Sequence, residues 1–130
     1  MIDQELTILA DVSSMLRQHI ENISIIEEFM EGLPSDYPCV YVYQSSNVIN
    51  EKYRTFDTME NVVTEVYTCE IFSNLNIGRK QQIKEITDCI NVVMEGYGYV
   101  RTYNEPIVTK DKSVSKKVVK YTKENLTGGQ

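Results

Sequence analysis

The chain has no tryptophan, one histidine, three prolines and three cysteines among its 130 residues. Each scarcity removes a class of chemistry. The lone histidine, His19, has no second imidazole with which to share a metal and no partner in a recognisable catalytic pattern, so it is expected as a surface residue at the polar end of a helix. Cys39, Cys69 and Cys89 are far apart, odd in number and without C-x-x-C spacing, which argues against a disulfide framework or a zinc site. Each falls on an apolar face and reads as a small buried hydrophobe. No G-x-S-x-G elbow and no Walker-type loop occurs, and Gly96-Tyr97-Gly98 lacks the third glycine and following helix of a dinucleotide site. Glu65 and Glu70 lie five apart in a strand-like stretch and so face opposite sides, which rules them out as a glycosidase-type pair. No catalytic, cofactor or metal site is expected. No apolar run approaches the roughly 18 to 20 residues of a membrane span, so no membrane partner is expected. The N-terminus carries acids and amphipathic spacing rather than a basic start and an apolar core. The simplest location is the cytoplasm of the cell that makes the protein.

What is present is ordinary for one folded domain. Apolar residues make up 42% and charged residues 25%, which argues against global disorder, and 130 residues can bury a core without disulfides or metal. The charge is uneven. Residues 1–70 contain thirteen acids and three bases, a net of −10, whereas residues 71–130 contain six acids and ten bases, a net of +4. Lys110, Lys112, Lys116, Lys117, Lys120 and Lys123 supply most of the positive half. A basic strand can mean nucleic acid, but a pI near 4.8 disfavours nonspecific binding of that kind. Two readings stay open. The positive half could meet a neighbour's negative half, or the lysines could simply protect an edge strand. Nine tyrosines, several of them in strand-like segments, suit sheet packing and also suit an interface.

Along the chain, Ile2, Leu6, Leu9, Val12, Leu16, Ile20 and Ile23 recur at helical steps and predict a helix from Ile2 to about His19. Ser24 followed by Glu27 matches a capping box, and Gly32 matches a stop, so a short second helix is expected over Ile25–Glu31. Tyr37–Gln44 is rich in β-branched and aromatic residues and predicts a strand. Ser45–Met59 is polar and unpatterned, either a long loop or the excursion of a hairpin. Val62–Phe72 predicts a strand whose Val63, Tyr67, Cys69 and Ile71 face the core. Ser73–Gly78 is a turn, and Ile83, Ile86, Ile90, Val93 and Met94 mark a helix to Glu95, with Gly96 as its C-terminal glycine. Strands follow at Tyr99–Tyr103 and Val114–Tyr121, with a turn around Asp111 and Lys112. The expected fold is a single two-layer α+β domain over residues 1–125, in the order α-(α)-β-β-α-β-β. Its mostly antiparallel sheet packs against helices, and residues 126–130 form a frayed tail.

Several short patterns then fall in a telling order: Tyr37-Pro38-Cys39-Val40, Val66–Asn74, Gly78-Arg79-Lys80, Met94–Thr102, Glu105-Pro106 and Val119-Lys120-Tyr121-Thr122. In these, over roughly residues 37–124, the chain resembles the tail-completion or tail-terminator proteins of long-tailed phages and prophages of Gram-positive bacteria. It departs at Val119-Lys120, where an arginine is expected before the tyrosine, and in its N-terminal helix. The resemblance implies an α+β subunit that forms a hexameric ring on the head-proximal end of the tail tube. That ring stops tube growth and contributes to head–tail joining. Its implied partners are further copies of itself, the major tail-tube protein and a head connector or completion protein. Its implied location is the virion, after assembly in the host cytoplasm. Arg101, Lys117 and Lys120 are then candidates for contact with a neighbour's acidic half. The polar segment Ser45–Met59, with Asn47, Asn50, Lys52 and Arg54, is a candidate contact loop. The alternatives are a head-completion or connector protein of the neck and a bacterial cytosolic binding domain.

Overall fold

Among the described residues the elements run in the order α1 (Glu5–His19), β1 (Ser24–Ile26), β2 (Cys39–Asn50), β3 (Asn61–Ser73), α2 (Arg79–Gly96), β4 (Val100–Ile107) and β5 (Ser115–Thr127). The computed structural model describes residues 5–28, 30–50 and 61–127, with the backbone alone at 46–50, 61–63 and 125–127. The strands form one sheet in the order β1-β2-β3-β5-β4. β1 runs parallel to β2, and every other neighbouring pair is antiparallel. Both helices pack on one face of this sheet, giving a two-layer α+β domain.

The covered face carries the main core. Ile8, Leu9, Val12 and Leu16 of α1 and Ile83, Ile86, Ile90, Val93 and Met94 of α2 close over Val40 and Val42 of β2, Tyr67, Cys69 and Ile71 of β3, and Val119 and Tyr121 of β5. Burial of this kind stabilises by about 25 cal/mol per Å² of apolar area and outweighs the other local terms. The face of β3 expected to point inward does so at Tyr67, Cys69 and Ile71. Leu6, counted in the sequence stripe, is 81% exposed, and Ile8 takes its place in the core. On the open face a second, smaller cluster joins Cys39, Tyr41, Phe72 and Val114.

Four expectations need correction. Ser24–Ile26 is not the start of a second helix. It is a short strand, because parallel pairing of Ser24 with Cys39 and of Ile26 with Tyr41 satisfies its backbone better than an isolated single-turn helix could. Glu27 does not close a capping box: its carboxylate accepts the Ser13 hydroxyl at 2.9 Å. Of the two readings of Ser45–Met59, the hairpin excursion holds for its first residues: β2 continues to Asn50, with Ser46–Asn50 paired against Val62–Val66 beyond a bulge at Ser45. The rest of that segment, residues 51–59, lies outside the described residues.

The glycine that ends α2 is Gly98 and not Gly96. Gly98 takes φ +89°, its N–H bonds the Glu95 carbonyl, and the Tyr99 N–H bonds the Met94 carbonyl, each at 3.0 Å. This 5→2 and 6→1 pair needs a left-handed residue, which glycine adopts without strain. Finally, β5 runs through Leu126 and Thr127, which pair with Val62 and Asn61, so the strand extends two residues into the stretch expected to fray. Residues 128–130 lie outside the described residues.

Candidate interaction surfaces

Strand alternation divides the candidate residues. Val119 and Tyr121 point into the core, so Lys117 shares the helix-covered face of β5 while Lys116, Val118 and Lys120 share the open face. Arg101, opposite Tyr121 on the edge strand β4, is exposed and close enough to act on Lys117. The Lys117 ammonium is held below its usual pKa, first by burial and then by the Arg101 charge, and Lys84 adds to the effect while Asp88 opposes it. Arg101 and Lys117 therefore crowd positive charge at the outer rim of the helix-covered face. Lys120 stands apart on the other face, its ammonium 5.3 Å from the centre of the Tyr103 ring. The fold brings the first two together and not the third. The three-residue separation of Lys117 and Lys120 in a strand carried that signal already.

Asn47 and Asn50 sit in β2, opposite Glu65 and Val62, rather than in a contact loop. Lys52 and Arg54 lie outside the described residues.

The open face carries a polar network that sequence reasoning missed. Glu70 is 6% exposed although no helix covers it. It accepts the Tyr43 hydroxyl at 2.8 Å and pairs with Lys116 at 2.8 Å, and Lys116 also lies 5.3 Å from the centre of the Phe72 ring. Burial and the neighbouring carboxylate push the Tyr43 phenol well above its usual value. A matching arrangement exists on the covered face. There the Tyr99 hydroxyl donates to Glu65 at 2.6 Å, and burial followed by that carboxylate raises the Tyr99 phenol likewise. Lys123 donates to the Tyr97 carbonyl at 2.6 Å and so neutralises the end of α2.

None of these groups is arranged as a nucleophile with a base, and burial raises Cys69 to about 12, which makes it an inert thiol. Among the described residues no group of three or more metal-ligating side chains converges. His19 is exposed, and its Nδ1 donates to the Met15 carbonyl at the end of α1. A shallow groove of about 430 Å³ runs between the helices, bordered by Asp11, Met15, Val92 and Tyr97, with the Tyr97 hydroxyl bonded to Asp11 across it.

The exposed apolar residues form a clearer pattern. Val100 (66% exposed), Tyr103 and Val108 (96% exposed) lie along β4 and the loop that leaves it. Leu75 and Ile77 stand on the β3–α2 loop. Arg79 ties that loop to the β4–β5 connection, donating from Nε to Ser115 Oγ at 2.9 Å and from Nη1 to the carbonyls of Leu75 and Ser113. These features describe exposed surfaces suited to contact.

No family model matches the chain, and no curated protein matches it. Its fold is shared with a chain of the solved structure "Virion of native gene transfer agent (GTA) particle", at a TM-score of 0.60 and 8% identity, over 92% of this chain and 94% of that one. At that identity the likeness is one of fold, and it spans the whole architecture rather than a fragment.

Proposed function

We propose that this chain is a structural virion-assembly subunit of the phage type, which caps the head-proximal end of a tail tube and contributes to head–tail joining. The observation that carries the reading is the end-to-end sharing of fold with a chain of a virion particle. The ordered patterns from Tyr37 to Thr122 support the finer step from virion subunit to tail completion. Capping is a matter of unequal faces. A ring of copies would present one axial surface that fits the last ring of tube protein and another that does not template a further tube ring but meets the head connector. The partners are then further copies of the chain, the tail-tube protein and a connector or completion protein. The role is structural rather than catalytic.

The test is to add labelled protein to isolated tails and to DNA-filled heads and to image both. Label at one end of the tails and none on heads supports capping. Label on heads alone moves the chain to the neck as a head-completion protein.

A further inference from the structure

The two edges of the sheet carry opposite charge. The β1 edge is flanked by residues 21–38, which contain five acids and no base. Glu21, Glu28, Glu31 and Asp36 among them are exposed. The β4 edge and its neighbour β5 lie within residues 100–127, which contain seven bases and three acids. One of those three acids, Asp111, is turned into its own loop, where it accepts the backbone and hydroxyl of Ser113. Each edge also exposes apolar side chains, Met30 and Leu33 on the acidic side and Val100, Tyr103 and Val108 on the basic side. β4 itself is exposed from Val100 to Pro106.

From this we propose that the β4 edge is a docking surface for the acidic β1 edge of a second copy of this chain, joined head to tail. The net of +4 on one edge, of which Lys116 is already paired with Glu70, meets −5 on the other, and such complementarity selects partner and orientation. The crowded, incompletely neutralised cations Arg101 and Lys117 gain a countercharge in that contact. The patches are different surfaces on opposite edges, so the contact is heterologous, and repetition generates a ring where the rotation closes. The inference deepens the ring reading above by naming its surfaces, and its test does not involve tails.

Three strand spacings, about 14 Å, separate β1 from Lys117 and Lys120 on β5, and the isotope mixture separates links between copies from links within one. Purified full-length chain, mixed in equal parts with its ¹⁵N-labelled form at millimolar concentration, is treated with carbodiimide and mapped by mass spectrometry. The expected products are mixed-isotope links from Lys110, Lys117 or Lys120 to Glu28, Glu31 or Asp36. They should fall about tenfold in 1 M salt, where screening is effective within about 3 Å. K117E/K120E alone and E28K/E31K alone should each lose edge-to-edge links while melting as the parent does. Mixing the two variants should restore links between them, because both contacts become complementary again. Links joining like edges, links confined to other surfaces, no intermolecular links at all, or no restoration on mixing would each overturn the proposal. Edge links in a protein that does not bind tails would reject capping and leave the contact standing. Tail binding without edge links would do the reverse.

Discussion

The helix-covered face of the sheet and its open face reach burial by different means. On the covered face two helices lay down an apolar layer, from Ile8 in α1 to Met94 in α2, and the polar groups within it are satisfied locally, Thr87 on the Ile83 carbonyl, the Tyr121 hydroxyl on Asn91 and Tyr99 on Glu65. On the open face four residues, Cys39, Tyr41, Phe72 and Val114, form a small apolar island. Beside it a carboxylate, Glu70, is shielded by the side chains that bind it, Tyr43 and Lys116. The first arrangement depends on packed volume, the second on paired charge, so the two faces should respond differently to substitution, salt and pH.

Breaking the covered face should cost most. Ile86 is fully buried in α2, and Ile86→Ala should remove about 2–5 kcal/mol, read from the urea midpoint. On the open face, Glu70→Gln leaves Lys116 without its countercharge. The Lys116 side chain is 23% exposed and that of Glu70 8%. Water therefore replaces part of the lost interaction, and the expected loss is smaller, about 1–3 kcal/mol, shrinking further in high salt. If Glu70→Gln cost as much as Ile86→Ala, the contrast between the faces would be wrong.

Alkali sharpens the comparison further. Tyr43 on the open face and Tyr99 on the covered face both hold their protons more tightly folded than unfolded, since burial and a carboxylate partner disfavour the phenolate. Their contribution is complete below the usual phenol value of 10.0 and is lost as pH rises beyond it. The urea midpoint should fall above about pH 10. Tyr99→Phe and Tyr43→Phe should each flatten that fall, and a limb unchanged by both would count against these pairings.

Gly98→Ala should cost about 1 kcal/mol through the left-handed backbone at φ +89°. The added methyl would also come within 3.4 Å of Lys123 Cε. Gly96→Ala, in open space and helical geometry, should be neutral or slightly stabilising. Least of all, Lys84→Ala should change stability by under about 0.5 kcal/mol, since its pair with Asp88 is solvated on both sides.

The elements with long, regular patterns were legible in the sequence. Ile83, Ile86 and Ile90 announced α2, and Tyr67, Cys69 and Ile71 announced the inner face of β3, because periodicity over many residues reflects one buried side. Elements decided by distant neighbours were not. Ser24-Ile25-Ile26 is too short to have a period, and Ser24 with Glu27 imitates a capping box, so only the parallel partner at Cys39–Tyr41 makes it a strand. Polar Ser45–Asn50 is a strand because β3 runs beside it. The edge charges were visible as an asymmetry between the two halves of the chain, but their placement on opposite edges required the strand order. The division of Lys117 from Lys120 needed only the two-residue period of a strand, and that signal was present from the start.

Whether the chain caps a tail is decided by electron microscopy of lysates from a phage or prophage that lacks it. If it caps the tube, tails will be overlong or variable and separated from filled heads. Tails of normal length detached from heads would relocate the protein to the neck, and normal infectious particles would rule out capping.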